Sequence, residues 1–340
     1  MYFPIEPKIN LENYLNLLID DKIDNRTNCP ICIDGISEIL DKIYKDLKEN
    51  YGGYFQKLLK KHGLMGLYSW KVDRYPIPIR KLKILLKLWK EICKKSEKEC
   101  EELYNKIFQK ADYFRLFKSP LRIKSIKILD SKLAYLMGVI YADGSLRDIW
   151  RTQRNEKRFR FEFSIVDSDK ENLESIIKIL NEKFSIKTNV KSVYDGRWYR
   201  ILFSSNVFHR FLNKVFEMPY GYKKGKLKIP EIIEDSPLII KKYFLIGFMD
   251  GDGTCIQNIK SKNSNCVSIS QSSTEILLDL KKILAELGFS FNLYKKTRDK
   301  HIWYVLETKD KKQIRKFYEK VGFLYPTKAR KLEYVVKNLI

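Results

Sequence analysis

No run of apolar residues in this 340-residue chain is long enough to span a bilayer. The opening stretch, MYFPIEPKIN, lacks the basic segment followed by an apolar one that marks an export signal. Six cysteines do not make a disulfide scaffold. Cys29 and Cys32 (CPIC) have metal-ligand spacing, but Cys93 and Cys100 lie seven apart and no histidine clusters with them. A structural zinc needs four ligands, so these thiols read as structural. Disorder is excluded as well, because 44% hydrophobic residues are enough for a core. The expectation is a soluble, cytoplasmic protein.

Acidic charge is the other shortage. Against 66 Lys and Arg stand 42 Asp and Glu, a formal net charge of +24. Heat adaptation enriches both signs and does not explain a one-sided excess. A surface this basic usually meets nucleic acid through its phosphates, with an anionic membrane surface as the lesser alternative. The excess is uneven: residues 1–50 carry −4, residues 51–130 carry +12 and residues 131–340 carry +16.

The N-terminal part reads as helical. NLENYLNLLIDDKI and DGISEILDKIYKDLKENY both show apolar spacing near 3.6. A helix over Tyr54–Lys61, a turn at His62-Gly63, a second helix over Leu64–Lys71 and a longer helix from Ile79 follow, separated by RYPIP. Two short helices joined by a glycine turn resemble a helix-turn-helix over residues 52–72, whose second helix enters a DNA groove. The plainer reading is a helical bundle that only supports its neighbours. Residues 94–125 are lysine-rich, and Pro120 would interrupt a helix, so they read as a linker.

Beyond Asp130 the chain repeats itself. YLMGVIYADGSL (Tyr135–Leu146) returns as FLIGFMDGDGTC (Phe244–Cys255). Period-two stretches follow each copy: RFRFEFSIV and RWYRILFSS, then NCVSISQ and HIWYVLET. Helical stretches separate and follow them: DKENLESIIKILNEKF and NVFHRFLNKVFE, then STEILLDLKKILAELGF and DKKQIRKFYEKVGF. Each copy therefore reads α-β-β-α-β-β-α, and the fold class is α+β. Three regions are expected: a helical 1–125, a first repeat over 126–235 and a second over 236–340.

The repeated lines read as apolar helices with small residues four apart, Gly138 and Ala142, then Gly247 and Gly251. Glycine inside a helix costs about 1 kcal/mol relative to Ala, so its retention at matched places points to close helix packing. Packing small face on small face brings Asp143-Gly144 and Asp252-Gly253 together. The glycines read as left-handed caps. The acids are not explained that way: a carboxylate at a helix C-terminus meets the negative end of the dipole, and two of them repel. A hard divalent cation with oxygen ligands, Mg²⁺ or Mn²⁺, relieves both problems.

At these residues the chain resembles the LAGLIDADG (DOD-type) homing endonucleases in their single-chain, two-repeat form. The pattern falls on LMGVIYADG (Leu136–Gly144) and LIGFMDGDG (Leu245–Gly253), with flanks KLKIPEII and FYEKVGFLYPTKARKL. The resemblance covers about residues 130–336. Archaeal members of similar style often carry a helix-turn-helix extension. The resemblance implies two pseudo-symmetric halves, motif helices at their interface, and two four-stranded sheets forming a saddle over duplex DNA. It implies metal binding by Asp143 and Asp252 together with the backbone of Ala142 and Gly251. Gln271, at a strand end, and Lys309, at the end of a later strand, match the family's polar site residues. Asp167 fills the Gln place in the first half, and Ser204 or Ser205 fills the Lys place there. One central lysine is therefore expected, with the two strand cuts unequally supported.

Base and phosphate contacts are expected from Arg147, Arg151, Arg154, Arg158, Arg160, Arg197, Arg200, Gln257, Asn258, Lys260, Lys295, Lys296 and Arg298. Alternation along a strand puts only about half of any run on the DNA face. The expected function is a monomeric, site-specific, Mg²⁺-dependent double-stranded DNA endonuclease. The alternative is an RNA-binding intron-splicing maturase, with intron RNA as partner, or a DNA-binding regulator on the same fold. An intein is disfavoured, because the chain starts with Met1 and ends KNLI.

Overall fold

The computed structural model describes residues 2–5, 7–19, 30–117, 119–153, 156–223, 225–256, 265–299 and 301–339; the side chains of 150–153, 156–159 and 256 fall outside the description. Among the described residues, no helix is long and apolar enough to cross a membrane.

The N-terminal region is not all helical. Among the described residues its strands are β1 (Ile9–Asn10), β2 (Ile31–Asp34), β3 (Ile77–Pro78), β4 (Tyr113–Leu116), β5 (Ile123–Lys124) and β6 (Ile128–Leu129). An antiparallel sheet runs β3-β2-β4-β5, with Ile33 opposite both Ile77 and Phe114. Four helices surround it, at Ser37–Tyr51, Phe55–Lys61, Leu67–Lys71 and Ile79–Ile92, whereas the stretch NLENYLNLLIDDKI, expected to be helical, holds only a single 3-10 turn at Leu15–Leu18 before it leaves the described residues after Ile19. Gly63 has the left-handed φ of 63° expected at the turn. The second helix starts at Leu67 rather than Leu64 and has five residues.

The stretch read as a linker is structured. Ser96 and Glu99 form a capping box that starts a helix over Glu97–Lys110, and Ile107 and Phe108 bury against the core. That segment then supplies β4 and β5 to the sheet. Cys32 lies buried within β2, while Cys29 lies outside the described residues. β1 pairs with β6, and Arg210 donates to the Leu18 carbonyl (2.5 Å), so the first residues lie against the following repeat.

Each repeat follows the expected order. In the first, Asp130 caps the motif helix Ser131–Asp143, accepting from the Leu133 N–H at 2.9 Å. β7 (Gly144–Gln153), β8 (Glu156–Asp167), a helix Lys170–Phe184, β9 (Val190–Val193), β10 (Trp198–Ser204) and a helix Asn206–Lys214 follow. In the second, the motif helix Leu238–Asp252 leads to β11 (Gly253–Ile256), β12 (Cys266–Gln271), a helix Glu275–Glu286, β13 (Asn292–Arg298), β14 (His301–Thr308) and a helix Lys311–Lys320. The two sheets have matching orders, β7-β8-β10-β9 and β11-β12-β14-β13. A short helix Glu231–Glu234 and a C-terminal helix Pro326–Lys337 complete the chain.

The motif helices are buried almost all round and pack on each other. A Cβ added at Gly138 would lie 2.1 Å from the Phe244 carbonyl oxygen, and one at Gly247 would lie 2.0 Å from that of Tyr135. These positions exchange under the offset that relates Asp143 to Asp252, so a pseudo-twofold axis passes between the two glycines. Further along, a Cβ at Gly251 would meet that of Ala142 at 2.3 Å. The C-terminal ends therefore converge.

The glycines after the acids are not left-handed caps. Gly144 and Gly253 are extended, with φ −71° and −78°, and begin β7 and β11 directly. Glycine is required because a Cβ there would lie 2.4 Å from the Ile140 carbonyl oxygen and 2.5 Å from that of Met249.

Candidate active site

The chain turns from helix to strand with no intervening loop, which fixes Asp143 and Asp252 at the axis. The carboxylate of Asp143 reaches across to the opposite helix: a Cβ on Gly251 would stand 2.9 Å from its Oδ2. Burial and the neighbouring Asp252 carboxylate push the Asp143 carboxyl up to about 7, with Lys328 and Lys223 opposing the rise. Burial raises Asp252 too, against the pull of Lys223 and a hydrogen bond from Gln271. Two largely buried acids at negative helix ends are thus held where their charged forms are disfavoured.

Two cavities open on either side of the axis. One, of about 510 Å³, is lined by Asp252, Gln271, Ala142, Lys223 and Ser270 to Ser273. The other, of about 630 Å³, is lined by Asp143, Asp167, Asp169, Gly251, Lys328 and Lys331. Each combines an acid from one helix with the residue that precedes the acid of the other. Gln271 Nε2 donates to Asp252 Oδ2. Asp167 takes the equivalent strand end, but its oxygens already accept from the Asp169 N–H (2.8 Å) and Asn172 Nδ2 (3.1 Å). The half-site of Asp252 is therefore amide-bearing and that of Asp143 is carboxylate-bearing.

Lys309 is not brought to the acids. Gln271 pairs with Tyr304, and the chain runs on for five residues, to Lys309 just past the end of β14, roughly 16 Å at a strand's rise. There it pairs with Glu307 at 3.3 Å and is well exposed. Ser204 and Ser205 are equally remote in the first sheet: Ser204 pairs with Glu162, while Tyr199 pairs with Asp167.

Two lysines that the sequence reading passes over are bonded to the helix ends at the axis. Lys223 Nζ donates to the Tyr141 (2.8 Å) and Ala142 (2.6 Å) carbonyls. Lys328 Nζ donates to the Gly251 and Gly253 carbonyls (both 2.7 Å), and to those of Met249 and Asp250. Burial lowers the pKa of both, opposed at Lys223 by Asp252 and Asp143 and at Lys328 by Asp250 first and then Asp143. The available signal was their matched place in the flanks YKKGKLKIP and YPTKARKL, each closing its repeat.

Asp250 was also missed. Its carboxylate accepts from Tyr135 OH (2.8 Å), across the helix interface, and from the Leu324 and Tyr325 N–H groups (3.1 Å each). Burial pushes it up to about 7 even so. It ties the second motif helix to the entry of Pro326–Lys337, which carries Lys328.

On the first sheet, Phe163 faces the helices and meets Phe208 at 5.1 Å between ring centroids. Arg147, Glu162 and Ser204 are aligned across the sheet, as are Ile149 with Arg160 and Arg200 with Val166. Alternation places Arg147, Arg160 and Arg200 on the face away from the helices. Arg197 is exposed in the turn before β10. On the second sheet Lys296 and Arg298 share the outward face with Glu307, whereas Lys295 alternates to the face of Leu293 and Leu306. Gln257, Asn258, Lys260 and Arg154 lie outside the described residues, as do the side chains of Arg151 and Arg158.

The site's donors are hard oxygens, from two carboxylates and two helix-end carbonyls, which suits Mg²⁺ or Mn²⁺. Among the described residues, no three or more His, Cys, Asp or Glu side chains gather to hold a metal. Mg²⁺ commonly uses one or two carboxylates and takes its other oxygens from water and substrate phosphate, which this donor set fits.

Residues 132–215 match the WhiA LAGLIDADG-like domain, and residues 240–322 match the LAGLIDADG-like domain. The chain is 28% identical over 226 residues to the tRNA-splicing ligase RtcB of Pyrococcus furiosus, a match that covers 62% of this chain but 23% of that protein. It is 27% identical over 199 residues to the homing endonuclease I-ApeI of Aeropyrum pernix, covering 57% of this chain and 85% of that one. The solved structure of I-DmoI in complex with DNA and Ca aligns at a TM-score of 0.45 and 18% identity, over 60% of this chain and 97% of that one.

Proposed function

Because this chain belongs to the LAGLIDADG family, with both repeats in one polypeptide, we propose that it is a site-specific endonuclease that hydrolyses both strands of duplex DNA. The observation that carries this reading is the pair of half-sites at one axis, each joining an acid from one helix to a carbonyl-bearing position of the other. The similarity to I-ApeI supports it, since that match spans most of a protein named as a homing endonuclease. The ligase match spans 23% of a longer protein and does not extend to its activity.

Asp143 and Asp252, with the Ala142 and Gly251 carbonyls, would hold the metal ions; Mg²⁺ is the expected one, and Mn²⁺ can replace it. When bound, such ions supply the Lewis-acid and water-activating chemistry of phosphodiester hydrolysis. Gln271 holds the Asp252 carboxylate in place, and Asp167 presents a carboxylate to the other cavity. The outward arginines of the first sheet and Lys296 and Arg298 of the second would position the duplex through phosphate and base contacts. Both half-sites lie in one chain, so we take the protein to act as a monomer. The exposed Tyr54, Lys57, Lys60, Lys61 and Tyr68 add a basic and aromatic surface over 52–72, which we assign to further DNA contact.

The test is cleavage by the Asp143→Asn, Asp252→Asn double variant. Loss of cutting with duplex binding retained supports the reading, and full cutting would sink it.

A further inference from the structure

The two lysines at the site make a pattern that neither a structural cap nor a phosphate contact requires. Helix C-termini leave carbonyls without intrahelical partners, and these are normally satisfied by a glycine turn or by water. Here the chain enters β7 and β11 at once: the Gly144 and Gly253 N–H groups close on the Ile140 and Met249 carbonyls, and no glycine turn follows to close on the carbonyls beyond them. Each helix end is met instead by one ammonium brought from the far end of its own repeat. Lys223 takes the carbonyls of Tyr141 and Ala142. Lys328 takes four, those of Met249, Asp250, Gly251 and Gly253. The carbonyls of Ala142 and Gly251 are among them, and these are the backbone oxygens expected to complete the metal sites. Each lysine also lines the cavity that holds an acid from the opposite helix.

An ammonium so placed does what a divalent ion would do. It satisfies orphan carbonyls, offsets the negative helix end and screens two carboxylates that repel. Lysine suits a temporary occupant, because its flexible stem lets the charge move while the backbone stays fixed. We propose that Lys223 and Lys328 are built-in stand-ins for the divalent ions: each holds the axis together without metal and is displaced when metal binds. This inference rests on the endonuclease reading of the site. It adds that metal loading is an exchange of one cation for another, which keeps the acids in place between turnovers. The half-site of Lys328, with four carbonyl contacts against two, exchanges less readily.

Amine-selective acetylation of the unmodified protein, read by mass spectrometry, tests it. In chelator both lysines should be protected relative to Lys309. As Ca²⁺ is raised past the dissociation constant found by calorimetry on the same protein, labelling of Lys223 and Lys328 should rise roughly tenfold or more, because competition depletes the lysine-bound form. Lys223→Met and Lys328→Met provide a second readout. Each should lower the melting temperature in chelator, and the gap to the parent should close in saturating Ca²⁺. Lysines that stay protected while Ca²⁺ binds, or a stability gap that persists in Ca²⁺, would overturn the stand-in role and leave the metal site intact. Absence of any Ca²⁺ binding would overturn both.

Discussion

The two half-sites share a backbone plan and differ in charge. Asp252, Gln271 and Lys223 line one cavity; Asp143, Asp167, Asp169 and Lys328 line the other. The shared part follows from packing. Gly138 and Gly247 let the helices touch, and the convergence of their ends needs nothing else. The unshared part lies in side chains packing does not dictate: an amide that holds its acid in one half, and a carboxylate tied into a helix cap in the other. A duplicated scaffold thus conserves where charge converges and leaves each copy free to tune how that charge is handled.

The largest effect should come from breaking both halves together. Asp143→Asn with Asp252→Asn should reduce cleavage of target DNA by at least about 10³-fold, while gel-shift affinity in Ca²⁺ stays near the parent's. Either change alone should leave a nicked product, because the remaining acid still serves one strand.

Where the halves match, they should fail alike. Gly138→Ala and Gly247→Ala each drive a methyl into backbone of the opposite helix. Each should cost about 1–3 kcal/mol or more by chemical denaturation, with similar values for the two.

Acidity should act on the raised acids at the axis. In the metal-free protein Asp143 is raised to about 7, so proton and metal compete for its carboxylate, and the divalent-ion concentration needed for cleavage should rise as pH falls below 7. The sign for stability is the reverse. A carboxyl whose pKa is higher in the folded than in the unfolded protein favours folding at low pH, and that contribution is lost as pH rises through about 7. Metal-free protein should therefore melt lower at pH 8 than at pH 6, and Asp143→Asn should narrow that difference.

Exchanging the unequal residues should sharpen the contrast. Gln271→Asp makes both halves carboxylate-bearing, and the rates of the two nicks, followed on end-labelled strands, should move toward each other by a few-fold. The smallest effect is expected at Lys309, on the far end of its sheet. Lys309→Met should change cleavage by less than about twofold at fixed salt, as a surface lysine would.

Sequence alone carried the repeats because their signals are local: the glycine spacing, the period-two strands and the acid-glycine ends all fall within short windows. It missed the N-terminal sheet because β2 pairs with β4 about eighty residues away, and four-residue strands such as ICID and YFRL carry too little pattern. Pro120 in a lysine-rich stretch concealed a well-capped helix just upstream of it. Lys223 and Lys328 were overlooked for a different reason. In a chain with 66 basic residues nothing in the letters marks two of them, and only the tertiary path brings them to the axis. Lys309 matches the family's pattern in the letters, and the strand register carries it away.

Manganese binding followed by electron paramagnetic resonance tests the central claim most directly. The parent should take up Mn²⁺, and the Asp143→Asn, Asp252→Asn variant should lose that signal while keeping its fold and its affinity for duplex DNA. A double variant that binds Mn²⁺ as the parent does would contradict the account.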